Sequence, residues 1–257
     1  MSAVASEGMP LSSLAGALWR NMLRLRRNRA SIVSAFVIPG MIMVAFWVVF
    51  GHAASQAGID YALFLLAAVL FQAALFTAGG SAMALAVDAE SGILSRLRTM
   101  PIPASVIVAS RLGTDFIRSA ASLATVIVIS LLCGAQPHSI GSLALAFLMA
   151  LIIGEIVAML FCGICLRARH PVSTASVIQG VEMPLLMLST AFIPVETLPS
   201  WLRPIILHQP FSPLIDTLRA ILNGTPLSAT GWEALMWLVG GAILGSFWVT
   251  RSLRRAS

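Results

Sequence analysis

The chain has 257 residues, 58% of them apolar and 10% charged, with a formal net charge of +6. So apolar a composition excludes an ordinary water-soluble domain and points to an all-α polytopic membrane protein with no nucleic-acid partner. All sixteen basic side chains counted as Lys or Arg are arginine, so a lysine-bearing phosphate loop of the G-x-x-x-x-G-K-[ST] kind is impossible, and any ATP-driven step must draw on another polypeptide.

Residues 1–30 form the first unit. Leu11, Leu14, Leu18, Met22 and Leu25 keep a helical period, and Arg20, Arg24, Arg26, Arg27 and Arg29 supply a basic side, which predicts an amphipathic helix lying on the membrane surface. The apolar run from Ser31 to Phe50 is about twenty residues long, against ~7 to 15 in a cleaved signal, and reads as a retained first span. Further apolar windows at 62–87, 114–133, 139–166, 173–193 and 231–250 bring the expectation to six spans within a membrane domain of 31–250, followed by a tail of 251–257. Arginine sets the orientation. Five precede span 1. Arg96, Arg98, Arg111 and Arg118 lie between spans 2 and 3 or at the foot of span 3, Arg167 and Arg169 lie between spans 4 and 5, and Arg251, Arg254 and Arg255 follow span 6. Only Arg203 and Arg219 fall on the other side, so the positive-inside rule places both termini in the cytoplasm.

The connection 88–113 holds a short amphipathic segment, DAESGILSRLRTMPIP, from Asp88 to Pro103. Asp88 and Glu90 suit the positive pole of a helix N-terminus, Arg96 and Arg98 suit the opposite pole, and Pro101 and Pro103 end the segment. Ile93, Leu97 and Met100 fall at i, i+4 and i+7, one apolar stripe on a helix of about three turns. Such a helix is too short to cross a bilayer. It is an ordinary interfacial helix, an anionic-lipid contact or a docking helix for a motor subunit.

On the external side, Gly51 to Tyr61 and Gly134 to His138 are short, whereas 194–230 is long and carries six prolines among apolar residues. Its pattern predicts two short helices separated by His208, Gln209 and Pro210, dipping in from the outer face and returning, with a plain interfacial loop as the alternative. Inside the spans, Glu155 and Glu182 must be protonated, paired or turned towards a polar cavity, and Gln72 and Gln179 are candidate partners. A proton-coupled transporter would use such carboxylates; interhelical hydrogen bonds are the structural reading of the same residues. Asp115 and Arg118 are spaced for a same-face ion pair, and Gly241 and Gly245 form G-x-x-x-G in span 6. Cys162 and Cys165 form C-x-x-C without a strand-helix context, and neither H-E-x-x-H nor G-x-S-x-G occurs, so no catalytic residue and no metal site is expected. An intramembrane enzyme would need an unrecognised arrangement.

Two stretches carry a family resemblance. D-x-E-x-G-x-L-x-x-L-R-x-x-P, at Asp88, Glu90, Gly92, Leu94, Leu97, Arg98 and Pro101, resembles the first cytoplasmic loop of ABC-2 type exporter permeases. In that family the loop bears a coupling helix seated in a cleft of the ATP-binding subunit, which implies that role for these seven residues together with Ile93 and Met100. FIPVETLPSWLRPIILHQPFSPLIDTLRAILNG, from Phe192 to Gly224, resembles the external re-entrant segment of the daunorubicin-resistance and lipid-export kind. The match implies an external gate at Trp201, Pro204, His208, Gln209, Pro210, Phe211 and Arg219. The resemblance as a whole implies the permease of an exporter in the bacterial cytoplasmic membrane, moving a drug, lipid or polyketide-like compound. It would pair with an identical or related permease, and a separate ATP-binding subunit would hold ATP and magnesium, leaving no cofactor in this chain.

Overall fold

The computed structural model describes residues 36–56, 60–92, 104–192, 199–227 and 229–254. Eight helices occupy them: α1 (Ile38–Gln56), α2 (Tyr61–Glu90), α3 (Ala104–Leu132), α4 (Ile140–Cys165), α5 (Pro171–Met187), α6 (Arg203–His208), α7 (Phe211–Asn223) and α8 (Ala229–Arg254). No strand occurs among the described residues.

The bundle is built around α2. Its sequence is apolar on every face rather than along one stripe, the pattern of a helix surrounded by others. It packs against α1, α3, α4, α5 and α7, while α4 in turn carries α8. Leu65, Leu66, Leu70, Phe71 and Leu75 of α2 are fully buried with Leu123 of α3, Ile153 of α4 and Ile215, Leu218 and Leu222 of α7. A second, smaller cluster lies at the other end of α2, where Ala82 and Ala86 meet Cys165 of α4 and Ala175 of α5. Three helical stretches are long and apolar enough to cross a membrane: Tyr61–Glu90, Gly113–Leu132 and Ile140–Cys165. Apolar side chains such as Met41, Val48, Met236 and Ile243 point outwards, a surface suited to lipid or to another apolar chain.

Glycine sets one close approach. A Cβ at Gly241 of α8 would come 2.9 Å from Ile156, and one at Gly245 would come 3.1 Å from Met159, so the G-x-x-x-G pair is the seam on which α8 rests against α4. The start of α4 is fixed by reciprocal hydrogen bonds between Ser139 and Ser142, a capping box with serine in both positions.

Helix ends depart from the apolar windows. α1 continues beyond Phe50 through Gln56, because Ala53, Ala54 and Gln56 sustain a helix although they add little hydropathy. α2 continues through Glu90 instead of stopping at Val87, so Asp88 and Glu90 occupy its last turn and do not open the next helix. α3 begins at Ala104, directly after Pro103, so much of the expected connection 88–113 is helical; Arg111 and Asp115 lower the hydropathy without breaking the backbone. α5 ends at Met187, short of the expected 193. Pro184 lies in its last turn and removes one amide donor.

Candidate functional site

The features with chemical potential lie at three levels of the bundle. At the end bearing the 91–103 connection, α2 stops with Ser91 and turns through Gly92, whose φ of 72° lies in the left-handed region that glycine enters without a Cβ penalty. The carboxylate of Glu90 accepts a hydrogen bond at 2.9 Å from the backbone N–H of Val172. Val172 is in the first turn of α5, whose N-cap residue, His170, provides no side-chain cap. The expectation that Glu90 opens the next helix is thus corrected: Glu90 closes α2, and its carboxylate serves the positive end of α5. Ile93, Leu94, Leu97, Arg98, Met100 and Pro101 lie outside the described residues.

Midway along the bundle is a buried polar seam. Nη2 of Arg118 donates to the Thr77 carbonyl at 2.7 Å and to the Ser81 hydroxyl at 2.6 Å, and lies 3.2 Å from Asp115. Thr77 donates to the Ser119 hydroxyl at 3.3 Å. The spacing of Asp115 and Arg118 made their pairing legible; Thr77 and Ser81, on another helix, were not. Glu155 of α4 lies within the electrostatic reach of both Asp115 and Arg118. Arginine can hold several acceptors at once because its donors diverge from one plane, and here they tie α2 to α3.

Gln72 and Gln179, the candidate partners of Glu155 and Glu182, stand at different levels of the bundle. Gln179 is packed against Gly79, 3.1 Å from where a Cβ would stand, seven residues or about two turns along α2 from Gln72. Glu182 is buried, and Oε1 of Gln72 is buried with no hydrogen-bond partner. A window-based reading places these residues at similar depth in separate helices but lacks the register that decides which of them meet.

At the far end, α6 and α7 form a hairpin, joined at Gln209 and Pro210. Arg219 is its anchor. Its guanidinium donates to Asp216 at 2.8 Å and to the Thr190 carbonyl at 3.1 Å, and it lies 4.0 Å from the centroid of the Phe64 ring. Thr190 donates to Asp216 at 2.9 Å, while Gln209 donates to the Leu188 carbonyl at 2.7 Å. Phe211 meets Phe71 edge to face, with ring centroids 5.1 Å apart. Of the expected hairpin residues, Gln209, Phe211 and Arg219 are thus brought onto the core. His208 instead turns outwards to a 3.1 Å contact with Glu233 of α8. Trp201, Pro204 and Pro210 are exposed. Sequence reasoning missed Asp216, Thr190 and Phe64; the i, i+3 spacing of Asp216 and Arg219 was the one signal that could have found part of this cluster.

Among the described residues no cluster of three or more His, Cys, Asp or Glu side chains could hold a metal, and Cys133, Cys162 and Cys165 form no disulfide. Residues 13–223, from the N-terminal basic segment to the last residue of α7, match the family described as ABC-2 type transporter. The chain belongs to the ABC-2 type transporter family. Its membership, with the three long apolar stretches, makes it a multi-pass membrane protein and a transport subunit. The chain is 27% identical over 210 residues to a daunorubicin resistance ABC transporter permease of Streptomyces coeruleorubidus, covering 81% of this chain and 74% of the relative. It is 24% identical over 244 residues to a doxorubicin resistance ABC transporter permease of Mycobacterium tuberculosis, covering 93% and 87%. The ABC-2 match takes in both the end of α2 and the α6–α7 hairpin, two of the places where polar contacts tie segments of the bundle together.

Proposed function

We propose that this chain is the membrane-spanning permease of an ATP-driven exporter that carries a hydrophobic or amphipathic compound, a drug, lipid or polyketide-like molecule, out of the cytoplasm or inner leaflet. Six spans, formed by α1 to α5 and α8, would cross the bacterial cytoplasmic membrane with both termini in the cytoplasm. The α6–α7 hairpin would be the external re-entrant gate, with Trp201, Pro204, His208, Gln209, Pro210, Phe211 and Arg219 on it. An ATP-binding subunit holding ATP and magnesium would dock on the segment from Asp88 to Pro101, and a second permease, identical or related, would complete the path.

The observation that carries the reading is the family match across 13–223, joined to resistance permeases that resemble the chain over most of its length. The absence of lysine supports a separate motor, since no Walker-type loop can be formed here. The test is a mild-detergent pull-down of tagged protein from its native membrane, followed by an ATPase assay. A stoichiometric ATP-binding chain is expected, released by the double substitution Leu97→Asp with Arg98→Glu while the permease remains inserted. A correctly inserted double variant that still exports and stimulates ATP turnover would refute the docking assignment.

A further inference from the structure

Resting on the orientation proposed above, which sets the C-terminal ends of α4 and α8 at the cytoplasmic face, we infer that a hollow between these ends holds an anionic phospholipid of the inner leaflet by its phosphate. The hollow grows out of the seam between the two helices. A Cβ at Gly163 of α4 would come 2.8 Å from the Trp248 side chain of α8, so the close approach at Gly241 and Gly245 continues for one more turn. α4 then ends at Cys165, two residues beyond Gly163, whereas α8 runs six residues beyond Trp248 to Arg254. α8 thus outlasts its neighbour by about one turn. Beside that step lies a hollow of about 280 Å³ lined by Ile164, Arg167, Ala168 and Trp248.

Two of these side chains are donors and two are apolar, and no carboxylate lines the hollow among the described residues. Arg167 is exposed and Trp248 half-buried, and among the described residues no acceptor engages the Arg167 guanidinium or the Trp248 indole N–H. An arginine just past a helix C-terminus also complements the helix dipole, but that role asks nothing of the indole or of the apolar wall. A phosphate diester can accept from both donors, and the planar guanidinium suits its oxygens. The apolar wall selects an anion that carries acyl chains. Leu244, one turn before Trp248 on the same side of α8, is exposed, so a chain can continue along it. Charge selects the headgroup. A choline or ethanolamine headgroup brings its own cation to the phosphate, whereas a glycerol headgroup brings none. Arg169 and Arg251 are exposed near the same helix ends and add to the local positive field, which favours anionic lipid.

The experiment places the whole chain in phosphatidylcholine vesicles in which a minor part of the lipid is brominated phosphatidylglycerol or, in a parallel arm, brominated phosphatidylcholine. Bromine quenches indole fluorescence on contact, so the quenching that Trp248→Phe removes reports lipid in the hollow. That component is expected to show about a fivefold preference for phosphatidylglycerol, the factor contributed by one arginine beside anionic lipid. Arg167→Gln abolishes the preference, while Arg169→Gln, which removes an equal charge outside the hollow, keeps it. Excess inorganic phosphate leaves the quenching unchanged. Equal quenching by the two lipids in the parent, or equal loss in both glutamine variants, would overturn the site in favour of a general basic surface. Persistence of the preference in Arg167→Gln would leave that arginine as a helix-end charge only, and displacement by inorganic phosphate would make the hollow a free-anion site; either result overturns the inference. Labelling of Arg169→Cys by a membrane-impermeant thiol reagent in intact cells, above the parent's blank, would strike at the proposed orientation. An unlabelled variant with no lipid preference at Trp248 would strike at this inference alone.

Discussion

Arg118 shows how a single charge can organise an apolar bundle. Its side chain is 7% exposed and meets one carboxylate, one carbonyl and one hydroxyl from two helices. Removing one partner of a buried pair costs about 3–5 kcal/mol because the other charge is stranded, whereas removing both is far milder. Arg118→Leu is therefore expected to lower the thermal unfolding midpoint in detergent strongly, and Asp115→Leu with Arg118→Leu to recover at least half of that loss. A double variant as unstable as the single one would mean that loss of the bonds to Thr77 and Ser81 on α2, not the stranding of Asp115, accounts for the instability. The ion pair itself was legible in the sequence because it is local, three residues apart on one helix. The Thr77 and Ser81 contacts span 41 and 37 residues and depend on the antiparallel register of α2 and α3, which no local pattern encodes. Glu90 illustrates the same limit: the chemistry of an acid at a helix start was readable, but which helix it would serve was not.

At the scale of elements, the all-helical architecture with long apolar stretches at Tyr61–Glu90, Gly113–Leu132 and Ile140–Cys165 followed from hydropathy, and so did the break at Gln209 and Pro210, where proline fixes the chain between two short apolar runs. Their ends did not follow, since a helix can outlast its apolar stretch, as α3 does between Ala104 and Gly113. Adjacent glycines in α8 separate packing from composition. Gly241 faces Ile156, whereas nothing lies within 4 Å of a Cβ at Gly240. Gly241→Leu is expected to destabilise the α4–α8 contact by about 1–3 kcal/mol through overpacking. Gly240→Ala should leave the unfolding midpoint unchanged or slightly raised. Equal effects would show that α8 is free to turn about its axis. The hairpin admits a parallel test at Arg219, whose guanidinium spans Asp216, the Thr190 carbonyl and the Phe64 ring. Lysine keeps the charge but is a point donor without the planar fork. Arg219→Lys is expected to speed amide exchange in Phe211–Asn223 about tenfold, a loss near 1.4 kcal/mol, with α4 unaffected.

The whole molecule raises the question of what energy source its buried carboxylates serve. Glu155 lies near the Arg118–Asp115 pair, and Glu182 is buried close to the α2–α5 seam, so both stand where helices are joined. A carboxylate used for joining tolerates glutamine, which preserves its shape and much of its hydrogen bonding. A carboxylate that carries a proton through each cycle does not. In proteoliposomes holding the permease and the ATP-binding subunit proposed for it, movement of a hydrophobic test compound is expected to need Mg-ATP, to continue when a protonophore collapses the proton gradient, and to retain at least half its rate in Glu155→Gln and Glu182→Gln. Abolition by the protonophore and by either glutamine substitution, with ATP still being hydrolysed, would instead make these residues part of a proton path. The distribution of polar contacts favours the first outcome: Arg118, a charged group joining α2 to α3, is engaged on three sides by fixed acceptors, an arrangement that holds a seam closed without needing to change its protonation.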